Sequence, residues 1–323
     1  MTDLIIPNDA FLPAPGYEAP KLIVEAGTAA QFAFDEFFSG TIRNTHTRIA
    51  YLHAVKKFFQ WLEPSGVALS QISPGIVGRY LDQHPGSIPT QKLHLAALRA
   101  LFNNMVTRHV ILINPAATVR GQRLEVVDGK TPEITKEQAR KLIGSIDTTK
   151  VAGRRDRAIL ATLAYTAARA GAVARLRIQD LVWDGTQYSF RFHEKGGKSR
   201  LIPVRHDLQS YLIECLNDFD WQHEPKTSPL FRSLLARSDI FTGKPIRNID
   251  ICRMMKRRLA AAGLPLDLSP HSFRVATVTD LLNQDVSLED VQFLAGHADP
   301  RTTRLYDRRK KSVTRNLVER ITL

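Results

Sequence analysis

The spacing of apolar residues between positions 28 and 122 constrains the fold of this chain more than any other feature. The stretch "TRIAYLHAVKKFFQWL" carries apolar residues along one stripe: Ile49, Leu52, Val55, Phe59 and Leu62. The stretch "QKLHLAALRALFNNMVTRHV" repeats this three- and four-residue spacing, which is typical of an amphipathic helix. No long strand signal interrupts these patterns, so we predict a small all-helical domain over residues 28–122.

The segments on either side of this domain have different patterns. Residues 1–27 contain four prolines, few basic residues and no helical period, and we predict a flexible arm there. Residues 123–134 are polar and include a glycine and a proline, which indicates a linker. A new helix is predicted to begin at Thr135, because Gln138 three residues later completes a capping box.

One strong β signal follows in the second part of the chain. In "QYSFRFHE" aromatic residues alternate with polar ones, which is the pattern of a half-buried strand. The stretch "SRLIPV" can pair back on it through a turn at Gly196-Gly197, and helical patterns resume after Asp207. The sequence therefore predicts a mainly α chain with a small β-sheet, in which a helical domain precedes a mixed α+β domain over residues 135–323.

The chain is basic, and its charge is uneven. It holds 45 Lys and Arg against 32 Asp and Glu, a formal net charge of +13. Residues 1–122 account for 10 basic and 8 acidic residues, which leaves 35 and 24 for residues 123–323. Such a domain favours a polyanionic partner, most simply nucleic acid, although a well-solvated basic surface has the same composition.

Other features exclude several classes of protein. The longest uncharged apolar stretch, Ala158 to Ala168, is too short to span a bilayer, and the N-terminus has no basic-then-apolar signal pattern. The two cysteines show no disulfide pattern and fit a reducing cytosol. We therefore expect a cytoplasmic protein with no membrane partner. Zinc-ligand spacing and a phosphate-binding loop are also missing from the sequence.

Arg169 and Lys195 are the first two residues that could do chemistry. Arg169 follows eleven uncharged residues, so its guanidinium would be costly to bury without an anion. That anion is either an internal carboxylate or a phosphate, which suits its planar fork. Lys195 lies at the predicted hairpin tip, where it is either simply solvated or able to reach into a groove.

The stretch "LSPHSFR" contains a second candidate pair. Ser269 is the predicted N-cap of a helix and Pro270 its first residue. His271 and Arg274 then lie one turn apart on the same face, by a helix N-terminus where backbone N–H groups favour an anion. A purely structural pair would have the same spacing.

The stretch "AGHADPRTTRLYDR" places Tyr306 nine positions after His297. Asp299 can cap a helix that begins at Pro300, and Tyr306 follows about two turns later. A tyrosine usually serves packing, and its phenol attacks usefully only where cations stabilise the developing charge. Together these residues fit one site for attack on a DNA phosphodiester, with two clamping arginines, a histidine donor, a lysine acid and a tyrosine nucleophile.

The chain resembles the tyrosine recombinases, the phage-integrase and Xer-type family. The resemblance lies in the order of six residues: Arg169, Lys195, His271, Arg274, His297 and Tyr306. The stretches "LAGHADPRTTRLYDR", "EKGGKSRLIPV" and "HSFRVATVTDLL" are similar to that family's Leu-Gly-His…Thr-x-x-Tyr box, its β-hairpin lysine motif and its His-x-x-Arg helix. The resemblance implies a helical SAM-like core-binding domain over residues 28–122 and a catalytic domain over 135–323, which clamp double-stranded DNA.

The resemblance also implies an activity. The protein is expected to be a site-specific recombinase, in which Tyr306 forms a 3′-phosphotyrosyl bond with DNA while Arg169 and Arg274 hold the scissile phosphate. Such an enzyme acts in integration, excision or dimer resolution. One departure is Ala172, which stands where the family usually has an acidic residue.

The remaining roles are also carried over from the family. Lys195 is the expected general acid, with Lys198 as the alternative. His271 assists proton transfer and His297 hydrogen-bonds the phosphate. The family needs no metal or ATP, because the covalent link preserves the phosphodiester energy, and we expect no cofactor.

Two other functions stay open at this point. One is a relaxing topoisomerase of type IB, which applies the same chemistry to one strand. The other is a catalytically impaired relative that binds DNA as a regulator or accessory factor, and Ala172 is the feature that favours it.

Two further regions are interpreted with less specific signals. The tail "KKSVTRNLVERITL" spaces Val313, Leu317 and Ile321 four apart, so it either packs on its own domain or docks on a neighbouring protomer in a DNA-bound tetramer. Additional DNA contacts are predicted at basic residues of the hairpin and of the stretch "ICRMMKRRLAAAGL", where a solvated face is the alternative: Lys198, Arg200, Arg253, Lys256 and Arg257.

Overall fold

The computed structural model describes residues 17–123, 131–193, 199–235, 238–297 and 299–306. The chain divides into two compact units, Met1–Glu125 and Val126–Leu323. In the described residues no helix is both long enough and apolar enough to cross a membrane.

The described part of the first unit contains helices joined by turns and irregular segments, and no strand. Its α-helices are α1 (Lys21–Glu25), α2 (Thr28–Glu36), α3 (Thr45–Leu62), α4 (Pro74–Asp82) and α5 (Ile88–Thr107). A π-helical turn, Phe37–Thr41, extends α2, and short 3₁₀ turns lie at Glu63–Ser65 and Leu69–Gln71. Helix α3 begins where the Asn44 side chain accepts hydrogen bonds from the backbone of His46 and Thr47 at 3.0 and 3.2 Å, which is the usual role of an N-cap asparagine.

An aromatic core holds this unit together. Six phenylalanines are almost completely buried in it: Phe34, Phe37, Phe38, Phe58, Phe59 and Phe102. The apolar faces of α3 and α5 pack against each other, although Ile49 of the predicted α3 stripe is 60% exposed. The rings of Phe58 and Phe102 meet edge to face with centroids 6.2 Å apart. This geometry adds to the hydrophobic contribution of each ring.

The last part of the predicted flexible arm is folded rather than flexible. Helix α1 places Ile23 in the core with none of its surface exposed. Tyr17 stacks on Phe38 and accepts a hydrogen bond from Arg48 at 3.3 Å. A five-residue helix is too short for a hydrophobic period to show in the sequence, and only tertiary packing stabilises it. Residues 1–16 lie outside the described residues.

The second unit combines helices with small antiparallel sheets, as the sequence predicts. Its helices are α6 (Lys136–Gly144), α7 (Val151–Thr166), α8 (Ala170–Ala174), α9 (His206–Leu216), α10 (Asn248–Ala261), α11 (Pro270–Asn283), α12 (Leu288–Ala295) and α13 (Pro300–Arg304). The predicted capping box starts α6. The Gln138 backbone donates to Thr135 Oγ1 at 3.1 Å, and the Thr135 backbone donates to Gln138 Oε1 at 2.9 Å.

The predicted strands form the centre and one edge of a three-stranded sheet. Strands β1 (Leu181–Trp183), β2 (Tyr188–His193) and β3 (Ser199–Pro203) lie in that order, and both neighbouring pairs are antiparallel. Phe190 and Phe192 point into the core, as the alternation predicts. The turn at Gly196-Gly197 lies outside the described residues. A second pair, β4 (Arg232–Leu234) and β5 (Phe241–Pro245), has no sequence signal strong enough to predict it.

Helix α7 runs through the core of this unit and ends at the site described below. Its buried Asp156 accepts hydrogen bonds from Arg155 at 2.7 Å and from Arg258 of α10 at 2.8 Å. Gly153 passes so close to the loop before α7 that an added Cβ would overlap the backbone of Asp147. These contacts determine where the C-terminal end of α7 lies.

Candidate active site

The end of α7 creates the first part of the site. Ala167 has a positive φ of 50°, and this left-handed residue stops the helix and turns the chain towards α8. Arg169 becomes the N-cap residue of α8 and is exposed. Arg169 therefore lies outside the apolar helix α7, because that helix ends before reaching it. Among the described residues its guanidinium makes no hydrogen bond or ion pair, and position 172 supplies no carboxylate.

Helix α11 supplies the second arginine. It begins as predicted at Ser269 and Pro270, and the Ser269 backbone donates to Ser272 Oγ at 3.0 Å. Arg274 is 1% exposed, and its Nη1 donates to the carbonyl oxygen of Ala167 at 2.6 Å. Its Nε and Nη2 are buried and have no hydrogen-bond partner among the residues that the structure describes.

The charge on Arg274 is therefore poorly compensated. Burial is the main reason that the pKa of Arg274 falls to about 10, and the neighbouring charge of Arg169 lowers it further, while the Tyr306 phenol opposes the shift. A buried donor without a partner costs about 1–3 kcal/mol. Two arginines side by side, one with orphaned N–H groups, form a site that is complementary to an anion.

His271 lies one turn before Arg274 on α11. Part of its surface is exposed, yet desolvation of the ring, followed by the charges of Arg274 and Arg169, lowers its pKa. Its Nε2 is 3.1 Å from the hydroxyl oxygen of Tyr306. A lowered pKa favours the neutral ring at pH 7, and a neutral ring can accept a proton from the phenol.

His297 enters the site from the turn after α12. Gly296 ends that helix in the left-handed conformation, and the backbone of His297 donates to the carbonyl of Gln292 at 3.1 Å. The His297 side chain is buried, and its Nδ1 is 2.9 Å from Thr303 Oγ1. Burial, and then Arg274 and other nearby cations, lower the pKa of His297 to about 3, so its ring is neutral at pH 7.

Tyr306 follows α13, which Asp299 caps as predicted by accepting from the backbone of Arg301 at 2.8 Å. The ring packs among apolar side chains of α11 and α12, and only 9% of the residue is exposed. It lies parallel to the His297 ring, with centroids 5.7 Å and planes 4° apart. The hydroxyl group is within hydrogen-bond distance of His271 and does not end among the apolar side chains that surround the ring. Packing thus anchors the ring and leaves the oxygen among cations and histidines.

Lys195 and Lys198, the candidates for the general acid, lie outside the described residues. Contact of Arg200 with DNA stays a prediction. The alternation of β3 turns it inwards, where it is 6% exposed and its Nη1 donates to the carbonyl of Phe293 at 3.1 Å. Its charge also lowers the pKa of His297 and Arg274.

The predicted basic face of α10 is present. Arg253, Lys256 and Arg257 are exposed, while the opposite face of the helix is buried in the core. Arg253 is 3.6 Å from Asp250, and Lys256 donates to the carbonyl of Leu266. Contact of this face with DNA stays a prediction.

Thr303 and the carbonyl group of Ala167 take part in the site without having been predicted. Thr303 belongs to the quoted Thr-x-x-Tyr box, so the sequence did contain a signal. The Ala167 carbonyl had none, because its role depends on a residue 107 positions away. In the described residues no group of three or more His, Cys, Asp or Glu side chains could hold a metal ion.

A tyrosine hydroxyl beside a histidine and two neighbouring arginines is the arrangement expected of a tyrosine-dependent DNA strand transferase. Comparison with known proteins gives the particular family. The model of the phage integrase family matches residues 132–312, more than half of the chain. The chain belongs to this family, and it is a tyrosine recombinase.

Individual relatives agree with this assignment. The chain is 24% identical over 269 residues to the tyrosine recombinase XerD of Chlorobaculum tepidum. The matched region covers 81% of this chain and 85% of the relative. A structure of XerH site-specific recombinase bound to palindromic difH substrate, in a post-cleavage complex, has a TM-score of 0.64 at 19% identity and covers 88% of this chain and 82% of that chain. A lambda integrase tetramer bound to a Holliday junction has a TM-score of 0.64 at 17% identity, with coverages of 88% and 80%. These structural likenesses concern the fold.

Proposed function

We propose that this recombinase cuts and rejoins double-stranded DNA at specific sites through a covalent bond between Tyr306 and the 3′-phosphate. One observation carries the proposal. The Tyr306 hydroxyl lies 3.1 Å from a histidine nitrogen, next to an arginine whose Nε and Nη2 are buried without a partner. A scissile phosphate would satisfy those donors while it faces the nucleophile.

The chemical steps balance with residues of this chain. Tyr306 Oη forms a bond to phosphorus, and the bond from phosphorus to the 5′-oxygen breaks. The phenolic proton passes to the neutral His271, and the leaving 5′-oxygen takes a proton from Lys195. Attack by a 5′-hydroxyl on the phosphotyrosine reverses both transfers and rejoins the strands.

Charge on the non-bridging oxygens grows during each attack. Arg169 and Arg274 offset that charge from the exposed and the buried side of the site, and such preorganised donors are usually the largest contribution to catalysis. His297 adds a hydrogen bond from a neutral ring. The absence of a carboxylate at Ala172 leaves the Arg169 guanidinium available to the phosphate.

The assembly is also part of the proposal. Two units would clamp duplex DNA: the helical unit, residues 28–122, and the catalytic unit, residues 135–323, joined by a linker at 123–134. The basic face of α10 would contact the DNA phosphates. Strand exchange between two duplexes needs four protomers, as in the lambda integrase tetramer bound to a Holliday junction. The tail from Val313 to Ile321, which would join the protomers, lies outside the described residues. Free Cys215 and Cys252 fit a cytoplasmic location.

Covalent trapping tests the proposal. The protein is incubated with a library of nicked duplexes, from which the short 5′-hydroxyl fragment diffuses away after cleavage so that the adduct persists. We expect a protein–DNA adduct that maps to Tyr306 and carries one enriched sequence. Tyr306→Phe keeps the ring packing against His297, so it should still bind DNA and yield no adduct. An adduct formed by this variant, or no adduct from the unchanged protein, would contradict the proposal.

A further inference from the structure

We propose that Thr303 is a positioning residue, which sets the tautomer of His297 so that Nε2 carries the proton offered to the scissile phosphate. This inference rests on the proposed function, because it concerns a hydrogen bond to the phosphate that Tyr306 attacks. It assigns a role to a residue that does not itself touch the DNA.

The geometry places Thr303 directly behind the histidine. Its hydroxyl oxygen is 2.9 Å from His297 Nδ1, and the Thr303 residue has none of its surface exposed. The same residue accepts a backbone hydrogen bond from Tyr306 at 3.0 Å. Thr303 thus connects the nucleophile to the neighbouring ring, whose plane lies 4° from that of Tyr306.

A neutral imidazole carries one N–H, and the partner of one nitrogen determines the state of the other. The lowered pKa of His297 keeps its ring neutral at pH 7. A threonine hydroxyl either donates to Nδ1 or accepts from it. The two arrangements leave His297 with opposite properties at Nε2, a donor in the first and a lone pair in the second.

The surroundings of Thr303 select the first arrangement. Within the described part of the chain, its hydroxyl makes no hydrogen bond except the one to His297. If Nδ1 carried the proton, the buried hydroxyl proton of Thr303 would have no acceptor, which costs about 1–3 kcal/mol. The Thr303 hydroxyl therefore donates to Nδ1, and the proton of His297 resides on Nε2.

The other tautomer would harm catalysis as well. A lone pair on Nε2 would face a phosphate oxygen that becomes more negative as Tyr306 attacks. The hydrogen bond would be replaced by repulsion beside a buried histidine, where such interactions are stronger than in water. Loss of the Thr303 hydroxyl should lower the rate of covalent attack more than the affinity for DNA.

Two variants separate the hydroxyl from the shape of the side chain. Thr303→Val keeps the branched shape without the hydroxyl, and Thr303→Ser keeps the hydroxyl without the methyl group. The rate of adduct formation is measured in a single turnover with the nicked duplex that covalent trapping identifies. Hydrogen bonds that orient metal-binding histidines are worth about 10- to 100-fold, and we expect a loss of the same order for Val and near-recovery for Ser.

A modified substrate distinguishes this role from a merely structural one. In a methylphosphonate duplex one non-bridging oxygen of the scissile phosphate is replaced by methyl. With the diastereomer that lacks the oxygen facing His297, Thr303→Val and the unchanged protein should react at equal rates. With the other diastereomer the defect should persist. Equal slowing on all three substrates, or no slowing on the normal phosphate, would overturn the inference.

A direct measurement needs neither a variant of Thr303 nor DNA. Nitrogen-15 shifts of the labelled histidine rings report which nitrogen carries the proton, and His297→Gln assigns the signal by removing it. We expect the proton on Nε2 at pH 7, and a proton on Nδ1 would refute the inference even if adducts form. If the unchanged protein forms no adduct with the library of nicked duplexes, the proposed function is wrong, and the role of Thr303 that rests on it is wrong as well.

Discussion

Replacing Arg274 by methionine should make the free protein more stable while it abolishes adduct formation. Arginine in water keeps a pKa above about 12, whereas burial and a neighbouring cation lower that of Arg274 to about 10. At about 1.4 kcal/mol per pKa unit, the charged guanidinium destabilises the fold by about 3 kcal/mol. The folded-state pKa lies below the unfolded one, so this penalty is fully present at pH 7 and is relieved only as the pH rises through 10.

The variant also loses something. The hydrogen bond from Nη1 to the Ala167 carbonyl disappears, which costs about 1–2 kcal/mol when the carbonyl stays buried. Methionine follows the path of the arginine stem and fills the space with apolar atoms. The net expectation is a gain of about 1–2 kcal/mol, or about 2–8 °C in Tm for a unit of this size.

Urea unfolding and thermal melts at pH 7.5 measure the change. Arg155→Met is the matched control, because Arg155 is also buried but forms an ion pair with Asp156 at 2.7 Å. The control should be less stable than the unchanged protein. Adding inorganic phosphate should stabilise the unchanged protein by mass action and leave Arg274→Met unaffected. If Arg274→Met loses as much stability as the control, the buried guanidinium is already satisfied and the reasoning is wrong.

Three other outcomes are expected. Lys195→Ala should form adducts slowly on a normal duplex. On a duplex whose leaving group is p-nitrophenol, which needs no proton, it should react at nearly the unchanged rate. Equal defects on both substrates in a cleavage assay would exclude the lysine as the acid. The free energy of unfolding should fall as the pH drops below 6.5, because the unfolded chain binds the proton that the folded His297 ring excludes. His297 alone should contribute up to about 1.4 kcal/mol per pH unit. His297→Gln should remove that part of the pH dependence in urea titrations. Gly153→Ala should destabilise the fold by about 1–3 kcal/mol through overlap with the Asp147 backbone, whereas Gly144→Ala, whose Cβ meets nothing within 4 Å, should be neutral or slightly stabilising in the same unfolding assay.

The starts of helices were predictable because the interactions that define them are local. The caps at Thr135, Ser269 and Asp299 involve partners two or three residues away. The alternation in β2 likewise predicts which side chains face the core, since successive side chains of a strand point to opposite faces of the sheet. In each case a few neighbouring residues contain the whole physical cause.

The features that the sequence did not predict share the opposite property. Helix α1 was missed because it is stabilised by packing, with Ile23 buried in the core of the helical unit, and Arg200 is turned inwards by the pairing of β3 with β2. The exposure of Arg169 depends on the left-handed turn at Ala167, which no residue type there announces.

The sequence by itself determined which chemical groups this recombinase has and in what order they come, from Arg169 to Tyr306, because side-chain chemistry belongs to the residue. Only the tertiary structure decided their electrical state. The orphaned donors of Arg274, the neutral ring of His297 and its bond to Thr303 arise where α7, α11 and α13 meet. Burial and hydrogen-bond partners decide where protons and charges reside, and chain segments more than a hundred residues apart supply both.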